Sequence, residues 1–388
     1  MKKTLQILGS LLVALFALVY ISDYSYLLNA IQKIYLTGHT TAYLSDYERF
    51  DNRIIPPSNQ PQPWPKHTLF NELEASEELE NYHKTTGTVA FLLIKNDSLL
   101  YEKYYEDYGP SSKSNSFSMV KSIVSGLLGK AIQDGYIKSV DQAVKDFIPE
   151  LKGPYADVVT VGDLATMSSG QLWEENYYGV LSVTTESYFT ADLRSLILEQ
   201  PISEQPAQGF NYKSGTTQLL GMVLEKATGK TLSSYFYDSF WHPMGAEKEA
   251  YWQLDSDENG MEKAYCCLAS NARDFARYGK LFKNHGRWNG QQILDSAYVA
   301  RSVKPRFEKD SEYGYGWWLE TYKNQSVYMM RGHLGQYVIV FPDLDLIAVR
   351  LGHQKGAKIE GNPFTQDIYE YMDAAMEINA HAGTNTAK

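Results

Sequence analysis

Ser118 and Lys121 stand three residues apart at the entrance to an apolar run, Asn115-Ser-Phe-Ser118-Met-Val-Lys121-Ser-Ile-Val-Ser-Gly-Leu-Leu. On a helix, positions i and i+3 share a face and side chains lean toward the N-terminus, so the Lys121 amine reaches the Ser118 hydroxyl. That is a nucleophile beside a base. A free lysine titrates near about 10.4 and is protonated at neutral pH, whereas desolvation depresses that value by up to roughly 3–5 units. The apolar Ile123, Val124, Leu127 and Leu128 predict a buried helix that supplies such surroundings. A serine in its first turn also meets the positive end of the helix dipole, where an oxyanion is stabilised. Alone the pair is a weak signal, because a serine-rich chain holds Ser-x-x-Lys pairs by chance.

A chain of 388 residues, 44% hydrophobic and 21% charged, is long enough for one large or two intimately packed domains with a full core. The formal charge of −10 argues against a nucleic-acid partner, whose phosphates require a basic face. The 30 tyrosines and 7 tryptophans exceed what a minimal core needs and fit a cleft for uncharged or partly apolar ligands. The only cysteines are Cys266 and Cys267. Joining adjacent residues closes a strained ring, so they are read as buried small apolar positions and not as a disulfide. None of the eight histidines has a metal-ligand spacing such as His-Glu-x-x-His, and no metal or other cofactor is expected.

Met1-Lys-Lys followed by an apolar segment over residues 5–21 has the pattern of a signal peptide or a single membrane anchor. No small-x-small cleavage site follows it and no cysteine is available for lipidation. Residues 1–22 are therefore expected to be an uncleaved anchor, with Lys2 and Lys3 inside and the rest facing the periplasm or cell exterior. Secretion after signal cleavage is the alternative. Residues 23–84 read as a Pro/Tyr-rich connector, residues 85–380 as the main domain and residues 381–388 as a flexible tail.

Residues 87–105 predict a hairpin turning at Asn96-Asp97. The chain from 129 to 300 is mostly helical in pattern, most clearly at 163–167, 191–199, 216–227 and 272–283. Strands return at 314–320, 326–331, 337–341 and 346–351, and a terminal helix covers 365–378. Strands at both ends with helices between predict an α+β fold: one antiparallel sheet built from the two termini, flanked by helices, with an inserted helical lobe.

Two further stretches carry a family resemblance. Phe210-Asn-Tyr212-Lys213-Ser214-Gly-Thr-Thr-Gln resembles the second signature of the serine β-lactamase-related proteins, and Arg331-Gly-His333-Leu334-Gly335-Gln336 the third. With Ser118-x-x-Lys121 they occur in the family's order, and residues 163–171, 270–279 and 286–290 match its connecting stretches. The nearest branch is the class C-like group of esterases, D-aminopeptidases and amidases, and 6-aminohexanoate-dimer hydrolases. The resemblance implies the β-lactamase/transpeptidase-like fold and a serine hydrolase cleaving a small ester or amide outside the cytoplasm. By the same resemblance, Ser118 attacks the carbonyl, Lys121 takes or relays its proton, and Tyr212, as phenolate or hydrogen-bonded partner of Lys121, protonates the leaving group. The backbone N–H groups of Ser118 and Gln336 form the oxyanion hole, the latter on an edge strand where Gly335 permits close approach.

His333 then orients Tyr212, unless it is an exposed strand histidine with no role, and Ser214 either bonds Lys121 or caps the helix starting near Thr216. The loop bearing Trp173, Tyr177 and Tyr178 lies where the amide hydrolases carry a tyrosine lid over the substrate. Two departures matter. Tyr212-Lys213-Ser214 replaces Tyr-x-Asn and His333-Leu334-Gly335 replaces Lys-Thr-Gly, which points away from efficient β-lactam hydrolysis. A penicillin-binding-protein-like D-Ala carboxypeptidase or weak β-lactamase, and a catalytically silent binding module that keeps the cleft, are the competing readings.

Overall fold

The computed structural model describes residues 2–22 and 24–385. The chain opens with helices α1 (Lys2–Ile21) and α2 (Tyr26–Lys33), strand β1 (Asn52–Ile55) and helix α3 (Glu77–Thr85), whose start is capped by the Ser76 hydroxyl. Strands β2 (Thr88–Lys95) and β3 (Ser98–Tyr104) form the expected hairpin, and Asn96 and Asp97 both take positive φ, as a two-residue turn of matching twist requires. Strand β4 (Ser114–Asn115) leads into helix α4 (Val120–Gln133). Helices α5 (Val161–Ala165), α6 (Val183–Phe189), α7 (Leu193–Leu198), α8 (Ser214–Thr228) and α9 (Leu232–Phe236) follow. Thr160 and Asp163 close a reciprocal capping box on α5, and Gly229 ends α8 in the left-handed conformation. Strands β5 (Ala250–Gln253) and β6 (Leu268–Ser270), helix α10 (Ala272–Lys283), the short pair β7 (Arg287–Trp288) and β8 (Gln291–Gln292), and helix α11 (Ser296–Ser302) complete the middle of the chain. Strands β9 (Trp318–Tyr322), β10 (Gln325–Gly332), β11 (Gln336–Phe341) and β12 (Leu346–Gly352) and helix α12 (Gln366–Asn385) end it.

The main sheet is antiparallel with strand order β3-β2-β12-β11-β10-β9, so strands from both ends of the chain do pair across its middle, β12 against β2. Alternation along its central strands feeds two cores. Leu92 and Ile94 of β2, Val338 and Val340 of β11 and Val349 of β12 face the core shared with α4, α8 and α10. Phe91, Leu93, Ile339 and Ala348 face Ile368, Tyr371, Met372 and Ala375 of α12.

The structure corrects several expectations. Helix α1 forms, but at about 1.5 Å per residue the apolar residues 5–21 span roughly 25 Å, short of the roughly 30 Å hydrocarbon core of a bilayer. No helix among the described residues is long and apolar enough to cross a membrane. This overturns the expected anchor, the membrane contact through the N-terminal segment, and the orientation toward periplasm or exterior that rested on it. The region between 129 and 300 also contains β5 and β6, which join β1 and β4 in a second sheet, β1-β5-β6-β4. Their pairing partners lie far away in sequence, so local pattern gave no sign of them. The connector folds onto the main body: Tyr26, Ala30, Ile34, Leu44, Asp46, Phe50 and Ile55 are buried. Cys266 and Cys267 are joined by a disulfide, contrary to the sequence reading; a positive φ at Cys267 turns the backbone between the two side chains. Helix α12 continues to Asn385, past the expected end at 378, and the last three tail residues lie outside the described residues.

Candidate active site

Ser118 sits in a single 3-10 turn, Phe117–Met119, that runs directly into α4. The turn is held on both sides. Phe117 has a positive φ of 45°, a conformation costly for a non-glycine residue, and its N–H donates to the Asn115 side chain at 3.0 Å. Asn115 in turn donates to Asp46 at 3.0 Å, and its backbone N–H donates to the carbonyl of Leu44 at 2.8 Å. Ser116 adds a backbone bond to Leu268 of β6 at 2.9 Å.

One turn into α4, Lys121 is buried at 2% exposure, and its Nζ donates to Ser118 Oγ at 3.0 Å, Ser214 Oγ at 3.1 Å and the Tyr265 carbonyl at 2.6 Å. Burial pulls its pKa down to about 8, against a smaller opposing pull from the Glu175 carboxylate. A tenth or so of such an amine is unprotonated at pH 7. Tyr212 lies beside it, with Lys121 Nζ 5.0 Å from the ring centre. Desolvation, then Tyr313 and Glu175, raise the phenol well above its usual range, while the Ser118 hydroxyl acts in the opposite sense. Tyr212 is therefore a neutral phenol at physiological pH, not a phenolate, which leaves Lys121 as the group able to accept a proton.

Ser214 is the first residue of α8, with Lys213 at the cap position, and it bonds Lys121 as one of the two expected alternatives required. Its most intimate partner was not foreseen. Glu175, from the loop after α5, accepts from the Ser214 N–H at 2.7 Å and hydroxyl at 2.6 Å, from Trp173 Nε1 at 2.9 Å, and from the Tyr177 hydroxyl. A carboxylate at a helix N-terminus is favoured by the unpaired N–H groups and the dipole there. The only sequence sign was its place in Trp173-Glu-Glu-Asn-Tyr177, ahead of the tyrosines. Trp173 itself does not face the cleft: it is buried against α8, where a Cβ on Gly215 would come within 2.3 Å of its ring.

The third motif lies in the turn between β10 and β11. His333 is in a 3-10 turn, not on an exposed strand. Its ring stacks on Tyr177 at 5.4 Å and meets Phe117 edge-on at 5.6 Å, and it makes no hydrogen bond to Tyr212. Burial, aided by Lys355, drops its pKa to about 4, so it is neutral at pH 7. Gly335 has φ +85°, and a Cβ there would lie 2.2 Å from Arg350 Nη1. Arg350 is buried and donates to the carbonyls of Leu334 at 3.1 Å and Gly335 at 2.8 Å, fixing the turn. Gln336 opens β11, an interior strand and not the expected edge, and its side chain is tied to Gly352. A Cβ on Gly332 would lie 2.2 Å from the Ser116 carbonyl, so this end of the sheet packs directly against the nucleophile turn.

A cavity of about 310 Å³ opens at this point, with Ser118, Tyr177, Tyr178, Ser214 and His333 in its wall. The fold and the order of the site residues are those of a known group. A family model described as Beta-lactamase matches residues 76–366. The chain belongs to the β-lactamase family. This β-lactamase-family protein is 25% identical over 236 residues to the 6-aminohexanoate-dimer hydrolase of Paenarthrobacter ureafaciens, a match covering 57% of this chain and 58% of that relative. It is 22% identical over 180 residues to Protein flp of Staphylococcus aureus, covering 43% of this chain and 35% of flp. The chain thus matches little more than half, or less, of the length of these relatives.

Among solved structures, a Bacillus anthracis protein provisionally assigned as a 6-aminohexanoate-dimer hydrolase superposes with a TM-score of 0.73 at 21% identity, over 88% of this chain and 94% of that one. The D-amino acid amidase of Ochrobactrum anthropi SV3 superposes with a TM-score of 0.61 at 18% identity, over 79% and 98%. The β-lactamase/transpeptidase-like fold is as the motifs implied.

Proposed function

We propose that this protein cleaves an ester or amide of a small molecule through an acyl-enzyme on Ser118, with Lys121 and Tyr212 as the acid-base pair. The observation that carries the reading is the 3.0 Å bond between Lys121 Nζ and Ser118 Oγ, made by an amine whose burial lowers its pKa to about 8. Ser118 Oγ forms a bond to the substrate carbonyl carbon while its proton passes to the neutral Lys121 amine. The tetrahedral oxyanion is met by the backbone N–H groups of Ser118 and Gln336. The carbon–oxygen or carbon–nitrogen bond to the leaving group then breaks, and that group takes the phenolic proton of Tyr212, which Lys121 restores. Water completes the cycle: its oxygen bonds to the acyl carbon, its proton passes through the same pair, and Ser118 Oγ leaves with a proton as the acid is released.

Labelling with a fluorophosphonate probe tests this. The expected outcome is a single adduct on Ser118 that Ser118→Ala abolishes, together with turnover of p-nitrophenyl acetate or a D-amino-acid amide that falls by several orders of magnitude in the same variant. An adduct on a different serine, or unchanged turnover in the variant, overturns the assignment.

A further inference from the structure

The cavity beside Ser118 is walled on its outer side by α2, a segment that precedes the family-matched residues 76–366. Leu27, Ala30, Ile31 and Ile34 occupy positions i, i+3, i+4 and i+7 and make one apolar stripe along this wall, about 10 Å long at the helical rise. The opposite wall is α6 and the loop before it, with Val180, Thr184, Thr185, Tyr188 and Phe189. Two bonds hold the walls together: Tyr26 Oη to the Val180 carbonyl at 3.3 Å and Asn29 Nδ2 to the Phe189 carbonyl at 2.9 Å. They join the helices without filling the space between them. Among the described residues no Asp, Glu, Lys or Arg lines the cavity, and His333, which does, is neutral at pH 7. A charged group entering it would lose hydration with no counter-charge, whereas an alkyl chain loses nothing.

The cavity also has a direction. Ser118 lines it, but Tyr212, the proposed proton donor to the leaving group, does not. Tyr212 packs instead with Phe210, Tyr313 and Trp318, none of which lines the cavity. The leaving group belongs on the Tyr212 side and the acyl group in the cavity.

We propose that α2 and α6 form an acyl-chain pocket, so that the substrate is an ester or amide of an unbranched, uncharged alkanoic acid of medium length. This rests on the acyl-enzyme reading above. The pocket has an open end: Ile31 and Tyr35 on one lip and Tyr178 and Val180 on the other are 46%, 47%, 79% and 51% exposed respectively. A chain too long for the cavity would emerge between them.

Two measurements test the pocket. With p-nitrophenyl esters from acetyl to dodecanoyl, kcat/KM should rise about fourfold per methylene until the cavity is full. Acetate esters of lengthening alcohols should show no such rise. Leu27→Trp, which fills the stripe, and Ile31→Asp, which puts a charge into it, should each flatten the acyl series when every ester is referred to the same variant's rate on p-nitrophenyl acetate. Both positions are partly exposed, and circular dichroism verifies folding. Calorimetric titration of Ser118→Ala with n-alkanamides reads the same pocket without chemistry, and affinity should tighten with chain length and lose that dependence in the two wall variants. A flat acyl series together with flat alkanamide binding, or a gradient in the alcohol half instead, overturns the pocket. Failure of Ser118 to take the fluorophosphonate label, with the alkanamide gradient intact, overturns the acyl-enzyme reading and leaves the pocket standing.

Discussion

Glu175 grips Ser214 with both carboxylate oxygens, one on the backbone N–H at 2.7 Å and the other on the hydroxyl at 2.6 Å. The same serine receives a bond from Lys121 at 3.1 Å, so a loop residue and the lysine of the first motif meet across one hydroxyl. The negative charge of Glu175 raises the Lys121 pKa against the effect of burial. Glu175→Gln removes that charge while keeping hydrogen-bonding capacity. The basic limb of its kcat/KM profile should shift to lower pH than in the parent enzyme, with loss of activity at the plateau as the loop loosens. A shift to higher pH would contradict the electrostatic argument.

In the parent enzyme, activity should rise with pH through about 8, the value to which burial lowers Lys121, as the neutral amine becomes available. Lys121→Met should lower kcat by several orders of magnitude and remove this limb, with circular dichroism verifying that the fold is retained. A pH profile that is flat between 6 and 9 in the parent would exclude lysine as the base.

The third motif bears on penicillins. A fixed lysine charge there is replaced by His333, which titrates near about 4 and is neutral at pH 7. Losing one charge-assisted contact to a substrate carboxylate costs roughly 1.5–3 kcal/mol, or about ten- to a hundredfold in affinity. Uncharged esters should therefore exceed nitrocefin in kcat/KM at pH 7, and His333→Lys should narrow the gap.

Acid should destabilise the protein for a related reason. His83 and His333 are held by burial at about 3 and about 4, below the roughly 6.5 of an unfolded chain. Between those values the unfolded state binds more protons, so stability is present above about pH 6.5 and is lost as pH falls toward 4. Urea denaturation at pH 7 and pH 5 should record that fall, and His83→Phe should reduce it.

Gly335→Ala tests the turn that carries the third motif. The new Cβ would press on Arg350 at 2.2 Å in a backbone with φ +85°. A loss of about 2–4 kcal/mol is expected, seen as a thermal transition lowered by several degrees.

What was legible in the sequence was what local pattern encodes. The Asn96-Asp97 turn, the amphipathic α10 and the apolar runs of β10, β11 and β12 could be read from pattern and turn chemistry, and the sheet of both termini followed from their order. Ser118 and Lys121 were legible because their relation is a helical one, three residues apart. Glu175 was not, because its bond to Ser214 spans 39 residues and follows from how a loop lies on α8. The disulfide between Cys266 and Cys267 was missed for the converse reason: ring strain argued against it, and the backbone turn that accommodates it has no sequence signature. The N-terminal apolar segment forms the 20-residue helix α1, but its hydrophobic length was overvalued when it was read as an anchor.

The turn that holds Ser118 borrows its supports from distant parts of the chain: Asp46 lies 69 residues upstream of Asn115, and Leu268 lies 152 residues downstream of Ser116. Contacts of such sequence separation form only after long loops have closed, which makes them late events in folding. Ser118 is therefore expected to reach its final geometry after the helices around it have formed. On dilution from denaturant, hydrolytic activity should thus return more slowly than far-ultraviolet helicity, and turnover becomes a reporter of the final step of assembly.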